Sequence, residues 1–338
     1  MKEEIKDYTL LSNTILKDAY NKINNNNFQI VFIVDDNGAA ICAISDGDIR
    51  RHILSGGTLE DDVLKLSKQL ISAKTIHEAT ILSKQYKVVP MLEQSGVIKL
   101  LVTRDGIICK DKLKVPVVIQ AGGLGTRLYP YTKILPKPLI PIGDIPIIEK
   151  IINRFVEFGC EDFYIIVNHK KEMIKSYFAE INKPYKVTFV DESEPLGTGG
   201  GLSLMEGMLD GKFIFANCDT FLDCDFNDIV NTHVDNKNKI TMICSNIKVQ
   251  IPYGTIQCDE QNKLTEMIEK PTFYFLSNVG VYIVDSSVIS SIPKQTKVHF
   301  TTICEQYAKD KLVGVYEISE HEWHDMGEID KLNKMIEE

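Results

Sequence analysis

Tryptophan occurs once in the 338 residues, at Trp323, and the eight cysteines form neither a CxxC pair nor a Cys/His cluster at zinc spacing. That pattern excludes a zinc finger or ribbon. Isolated thiols also fit a reducing compartment better than a disulfide framework. No apolar run approaches the ~18 residues that a membrane span needs. The opening MKEEIKDYTL is polar and acidic and lacks the apolar stretch of a signal peptide. The expectation is a cytoplasmic protein with no membrane partner. Positive charge is scarce as well: residues 116–338 carry 22 Lys+Arg against 32 Asp+Glu, whereas residues 1–115 are nearly balanced at 16 against 15. An acidic body is a poor binder of nucleic acid, where affinity comes largely from neutralising phosphates. Any phosphate this chain handles has to be gripped locally.

The remaining composition, 44% hydrophobic and 25% charged, is that of a globular chain with material for two or three domains. Residues 1–112 contain two similar passages. In the first, a helix over 14–24 leads through a run of asparagines to a strand at 29–34. The turn Asp35-Asp36-Asn37-Gly38 follows, then a strand over 39–45 and a helix opened by Asp46 and Asp48 at its positive end. In the second, 75–86 reads as helix and 88–92 and 98–102 as strands, with Thr103-Arg104-Asp105-Gly106 where the earlier helix began. A charged bridge at 110–114 separates this part from 115–338. There strand and helix alternate in the manner of an α/β fold with a mostly parallel sheet. Strands are expected at 115–120, 163–167, 186–190, 213–216, 240–244, 254–258, 279–284 and 313–318. Helices are expected over 144–159, 171–179, 199–209 and 300–309, with a closing helix from about Glu328.

The stretch 122–139, GGLGTRLYPYTKILPKPL, follows the buried strand VPVVIQ. A strand running straight into small residues lets an anion approach backbone N–H groups. Thr126 and Arg127 add a hydroxyl and a guanidinium fork. Lys137, held between Pro136 and Pro138, adds an ammonium, so a polyphosphate is the natural guest. A Walker A loop is excluded because Lys137 lies far beyond Gly125. A dinucleotide fingerprint is excluded because Leu128 stands where its third glycine belongs.

The whole string resembles the signature of sugar-1-phosphate nucleotidylyltransferases. That resemblance implies a Rossmann-like, GT-A-like α/β nucleotidyltransferase fold over 115–338. It implies Mg2+-dependent transfer of a nucleoside monophosphate from an NTP to a sugar 1-phosphate, with release of pyrophosphate. Further motifs carry it. Asp191-Glu192-Ser193-Glu194-Pro195-Leu196-Gly197-Thr198-Gly199-Gly200 resembles the family's base-bordering turn; Asn217-Cys218-Asp219 and Trp323-His324-Asp325-Met326-Gly327 resemble its metal-binding motifs. Glu269-Lys270-Pro271, Tyr253-Gly254 and Ser277-Asn278-Val279-Gly280 resemble its sugar-pocket elements.

By resemblance, Gln120, Ala121, Gly122, Gly123, Gly125, Thr126, Glu192, Pro195, Gly197 and Thr198 hold the nucleotide. Arg127 grips the β- and γ-phosphates, Lys137 the α-phosphate and Lys270 the incoming phosphate. Asp219 and Asp325 hold Mg2+, while Tyr253, Gly254, Glu269 and Asn278 meet the sugar. A Glu192 carboxylate matches the N1–H and N2–H2 donors of guanine better than uracil's single N–H, which favours GTP.

Residues 1–112 resemble a tandem CBS (α+β) pair, in which a Ser/Thr and an Asp three residues on hold the ribose of an adenine nucleotide. Ser45 and Asp48 match, as does Thr103 in the second copy, where Gly106 replaces the Asp. Two readings stand: a pair that only packs and forms a homodimer, and a regulatory nucleotide site. The combination resembles guanylyltransferases of bacterial legionaminic acid synthesis, with glucosamine 1-phosphate as acceptor. Mannose 1-phosphate or a heptose phosphate with GTP, a UTP- or CTP-dependent enzyme, and an inactive nucleotide-sensing regulator are the alternatives.

Overall fold

A computed structural model describes residues 4–109 and 111–327. Met1–Glu3, Lys110 of the charged bridge and the closing helix expected from Glu328 lie outside the described residues. The chain divides into two compact units. One comprises Met1–Lys114 with the later segments Arg154–Cys160 and Asp223–Asn227, and the other comprises the remainder.

The first unit holds two three-stranded sheets. In one, β1 (Thr9–Leu11), β2 (Ile30–Val34) and β3 (Ala40–Ser45) lie in sequence order; in the other, β4 (Val88–Leu92), β5 (Ile98–Thr103) and β6 (Gly106–Cys109) do the same. Helices α1 (Leu16–Asn24) and α2 (Asp46–Leu54) accompany the first sheet, and α3 (Ile76–Tyr86) precedes the second. The inward residues of β2 and β3 (Val31, Ile33, Cys42 and Ile44) are fully buried against Leu16, Ala19 and Ile23 of α1. The two passages differ after their last shared strand. Ser45 caps α2, whereas Thr103-Arg104-Asp105-Gly106 turns back into β6, because Thr103 Oγ1 donates to Gly106 O at 3.0 Å and closes a tight turn.

The second unit is built on a seven-stranded sheet. It comprises β7 (Val117–Gln120), β8 (Asp162–Val167), β9 (Lys186–Asp191), β10 (Lys212–Asn217), β12 (Ile240–Gln250), β15 (Thr272–Asp285) and β16 (Val313–Ile318), in the spatial order β9-β8-β7-β10-β15-β12-β16. Only the β10–β15 and β12–β15 pairings are antiparallel, so the sheet is mostly parallel as expected. The β-branched run Val117, Val118 and Ile119 is fully buried, as a central parallel strand requires. Ile147, Ile148, Ile151, Ile152 and Phe155 form the buried stripe of α4 (Ile147–Glu157), which stops before Gly159 at φ +95°.

Several elements depart from expectation, among them α6 (Phe226–Asp235), a helix the sequence reading did not anticipate. The stretch expected as a helix over 199–209 is a 3-10 segment, Gly200–Met205, since Gly199-Gly200-Gly201 favours no extended α-helix. The strand expected at 254–258 does not join the main sheet. As β13 (Thr255–Cys258) it pairs with β14 (Leu264–Ile268), a strand the sequence reading did not anticipate. The outer halves of β12 and β15 run beyond the sheet as a two-stranded arm, exposing Phe273, Tyr274 and Phe275. Cys258, on the hairpin, is the one exposed cysteine; the other seven are buried.

Phe215 on β10, 1% exposed, packs against Phe300 with ring centroids 4.8 Å apart and stacks on Tyr282. Phe215→Ala should therefore destabilise the sheet by about 3–5 kcal/mol, read as a lowered denaturant midpoint. A loss below about 1 kcal/mol would mean that this ring does not sit in the core.

Candidate functional site

The register places three loops at one edge of the sheet. Gln120 at the end of β7 pairs with Ile166 on one side and Asn217 on the other, and Val167 pairs with Asp191. The signature loop and Asp219 therefore follow the adjacent strands β7 and β10, and Glu192 follows β9 beyond β8, all at the carboxyl ends where open α/β sheets bind ligands.

Ala121 is buried at the root of the signature loop, its N–H donating to Ile166 O at 2.8 Å, and it does not reach the cavity. A Cβ at Gly122 would lie 2.7 Å from Glu192 Oε2, so glycine is what lets the loop pass the carboxylate. Gly125 has φ +66°, and its Cα faces Lys137 Cβ and Thr132 Cγ2 across a gap that a side chain would close. A cavity of about 340 Å³ is lined by Gln120, Gly122, Gly123, Gly125, Thr126, Arg127 and Lys137. Glu192, Pro195, Gly197, Thr198, Asn217, Cys218 and Asp219 complete its lining. Apart from Ala121, every residue expected to hold the nucleotide is here.

Charge in the cavity is paired. Lys137 and Asp219, each 8% exposed, are hydrogen-bonded to one another, and Arg127 Nη2 stands 3.5 Å from Asp219 Oδ2. Cys218 is buried and its thiol is pushed up to about 12, so it stays neutral between its neighbours. Asp325 arrives from far along the sequence because β17 (Trp323–Asp325) pairs antiparallel with β11 (Thr220–Leu222), and Met326 N donates to Asp219 O at 2.8 Å. A Cβ built on Gly327 would lie 2.7 Å from Asp219 Oδ2, 2.9 Å from Asp325 Oδ1 and 3.2 Å from Arg127 Nη2. The two carboxylate oxygens thus converge on one small space. That suits Mg2+, which keeps most of its shell for water and substrate phosphates. Among the described residues no group of three or more His, Cys, Asp or Glu side chains is arranged around a metal position.

Glu192 lines the same cavity. It is 2% exposed; its N–H donates to Val167 O at 2.9 Å, and Asn168 Nδ2 donates to its carbonyl at 3.0 Å. The Gln120 amide donates to Glu192 Oε1 at 3.4 Å and to Gly197 O at 3.3 Å. Burial raises the carboxyl's pKa above the ordinary glutamate value, and the Gln120 hydrogen bond only partly offsets this. Thr198 Oγ1 accepts from Phe300 N at 3.1 Å, tying this turn to the start of α7 (Phe300–Ala308).

A second cavity of about 300 Å³ shares Arg127, Thr198, Asn217 and Asp219 with the first, and Asn278 and Asp325 line it. Asn278 Nδ2 donates to the Tyr282 hydroxyl at 2.5 Å, and its Oδ1 accepts from Gly280 N at 2.9 Å. Asn217, His299, Thr301 and Trp323 also face this space and had no assigned role. Asn217 could have been found from its place at a strand end, whereas nothing in the spacing of His299 or Thr301 marks them. Tyr253, Gly254, Glu269 and Lys270 line neither of these two cavities. They sit on the exposed arm, where Glu269 Oε2 faces Gly254 and Lys270 adopts φ +46°.

In the first unit, Ser45 and Asp48 line a cavity of about 530 Å³ with Phe28, Ile30, Lys68 and Tyr86. They also form the capping box of α2: Ser45 Oγ donates to Asp48 Oδ2 at 2.6 Å, and Asp48 N donates to Ser45 Oγ at 3.3 Å. Burial pushes the Asp48 carboxyl up, but hydrogen bonds from Lys68, Ser45 and Arg51 outweigh it and hold the group well below the carboxylate range. Thr103 is not in this cavity; its hydroxyl is spent on the turn to β6.

Comparison with known proteins places this geometry. Over 217 residues the chain is 30% identical to a bifunctional protein GlmU of Methanococcus aeolicus, covering 62% of this chain and 51% of that one. It is 30% identical over 220 residues to a mannose-1-phosphate guanyltransferase of Yarrowia lipolytica, covering 62% of this chain and 60% of that one. A D-glycero-alpha-D-manno-heptose 1-phosphate guanylyltransferase of Campylobacter jejuni is 31% identical over 193 residues, covering 57% and 86% respectively. The chain thus spans only about half to three fifths of the first two relatives. Among solved structures, HddC from Yersinia pseudotuberculosis superposes with a TM-score of 0.52 at 25% identity, over 66% of this chain and 98% of that one. The nucleotidyl transferase family model matches residues 116–338, and this chain, with its signature loop, buried Lys137–Asp219 pair and converging carboxylates, belongs to that family.

Proposed function

We propose that the second unit transfers a nucleoside monophosphate, GMP by preference, from an NTP to a sugar 1-phosphate, with release of pyrophosphate. The observation that carries this reading is the meeting of Arg127, Lys137 and Asp219 in one cavity that a buried carboxylate, Glu192, also lines.

Two polyanions repel, and the residues act mainly by offsetting that repulsion and fixing geometry. Arg127 takes the β- and γ-phosphates. Lys137 leaves Asp219 for the α-phosphate, where negative charge shifts as the sugar phosphate oxygen attacks in line and pyrophosphate departs. Mg2+ held by Asp219 and Asp325 would supply further neutralisation of the phosphates. The guanine edge offers N1–H and N2–H2 to Glu192. Asn278 in the adjoining cavity meets the sugar. Tyr253, Gly254 and Glu269 as sugar contacts, and Lys270 as the contact to the incoming phosphate, rest on their motifs alone. Glucosamine 1-phosphate is the favoured acceptor, with legionaminic acid synthesis as its setting. Mannose 1-phosphate and heptose 1-phosphate are the rivals, the acceptors named for two relatives.

The first unit we read as a CBS pair that dimerises the enzyme. Its cavity beside Ser45 and Asp48 supports a second role as a site for a regulatory adenine nucleotide. Cations at Arg50, Lys68 and Lys87 and an apolar wall at Phe28, Ile30 and Tyr86 fit phosphates and a base respectively.

Four nucleotides assayed against several sugar 1-phosphates, with pyrophosphate as the readout, should give GTP and an amino- or neutral hexose phosphate as the fastest pair. No pyrophosphate from any combination would reject the assignment. Lys137→Ala should lower kcat by roughly 10²–10³ with modest loss of nucleotide binding, as for a contact made in the transition state. Near-normal turnover in that variant would remove Lys137 from the chemistry. Glu192→Gln should reduce the preference for GTP by roughly 10- to 100-fold. Because burial raises the Glu192 pKa, GTP affinity should begin to fall on acidification at a higher pH than an ordinary glutamate would give. Titration calorimetry across pH on wild type and Glu192→Gln checks the sign, since the variant should lose this dependence.

A further inference from the structure

Strand β8 ends at Val167 and hands over to Asn168-His169-Lys170 before α5 (Lys171–Glu180) begins. Lys170 adopts φ +53°, a left-handed conformation disfavoured for a residue with a Cβ. Its side chain is directed at the signature loop. The ammonium donates to three consecutive backbone carbonyls: Thr132 O at 3.0 Å, Lys133 O at 2.8 Å and Ile134 O at 2.9 Å. An ammonium has three N–H donors and no acceptor, so these bonds use its whole capacity. The carbonyls close the short 3-10 turn Tyr131–Lys133, which is too brief to satisfy its own last acceptors.

What this turn touches gives the contact its meaning. Thr132 is 8% exposed, and its methyl packs with Lys137 Cβ against the face of Gly125. The turn lies between Arg127 and Lys137 in sequence and braces both ends of the loop. Two residues upstream, Asn168 donates to the Glu192 carbonyl, so the same three-residue connection also fixes the backbone of Glu192. Lys170 itself lines neither cavity.

We propose that Lys170 is a positioning residue for the transfer reaction, holding the turn 132–134 by a tripod of hydrogen bonds so that Arg127 and Lys137 meet the triphosphate in register. The inference rests on the proposed reading of the signature loop as the triphosphate holder. Lys170→Met keeps the aliphatic stem and removes the donors. Lys170→Arg keeps the charge, but its planar fork cannot serve three converging carbonyls. Lys170→Ala leaves a carbonyl-lined space that a small alkylammonium can fill.

The test uses the full chain with Mg2+, GTP and the sugar 1-phosphate that wild type turns over best, reading pyrophosphate, with thermal melting as a control for folding. Lys170→Met should lose on the order of 10² in kcat/KM for GTP, as a misplacement near 1 Å would cause. The KM for the sugar phosphate should stay within about threefold of wild type. Lys170→Arg should fall between the two. Saturating n-propylammonium should restore Lys170→Ala by roughly tenfold or more, while tetramethylammonium, which has no N–H to donate, should restore nothing. Lys170→Met within about threefold of wild type overturns the proposal. So does Lys170→Ala that fails to fold, that n-propylammonium leaves unchanged, or that tetramethylammonium restores equally; the residue is then merely structural. Wild type that releases no pyrophosphate from any nucleotide sinks the reading of the loop itself. An active wild type matched by Lys170→Met sinks only the role given to Lys170.

Discussion

A buried ammonium facing a buried carboxylate, Lys137 on Asp219, is the constraint to which the carboxyl edge of the sheet answers. Neither charge tolerates isolation there, because an ion withdrawn from water and left unpaired destabilises its surroundings by several kcal/mol. The pair fixes the distance between two loops that are 82 residues apart in sequence. Arg127 shares the same carboxylate from the solvent side, and Asp325 brings a second one to the same small space. Under the proposed function, an anionic guest arriving with its own cation lets both ions change partners without either being stranded. The two cavities that share Arg127 and Asp219 then act as one reaction chamber with two entrances.

Glu192 is subject to the same physics with the opposite outcome. Among the described residues no ion pair reaches it, only amide donors and burial, and its proton is accordingly harder to remove. A group in that position discriminates well, because a guest that cannot donate to it leaves a buried acceptor unsatisfied. Under the proposed function, Arg127 and Lys137 work by charge and Glu192 by hydrogen-bond complementarity. The connection 168–170 ties the two together.

Much of this was legible in the sequence because the site is made of strand ends. The runs VPVVIQ, FYIIV and FIFAN declare buried parallel strands. Residues following such strands in an α/β sheet must converge at one edge, which is how Asp219 could be placed at a cleft, whereas Gln120 and Glu192 were legible through the motifs that carry them. Asp325 was legible only through its motif, since the pairing of Thr220–Leu222 with Trp323–Asp325 is invisible to local patterning. The arm was harder to place for a related reason. Tyr253, Gly254, Glu269 and Lys270 lie in the connections that join the paired strands β13 and β14 to β12 and β15, so motif order predicts their mutual neighbourhood but not their distance from the cavity. Lys170 carries no motif at all, and its partners are backbone carbonyls that any sequence would supply. In the first unit, Ser45-x-x-Asp48 was read for its chemistry, yet its first use is to cap a helix, a role any Ser-x-x-Asp before an amphipathic run can take.

The distribution of sulfur has a practical consequence. Burial pushes the thiols of Cys109, Cys218 and Cys304 up to about 12, far from the thiolate form that reacts with electrophiles. Cys258 alone stands in solvent, on the hairpin that carries the arm beyond the sheet. A maleimide dye added to the unmodified protein should therefore report from that hairpin, giving a spectroscopic handle on it without engineering a single residue.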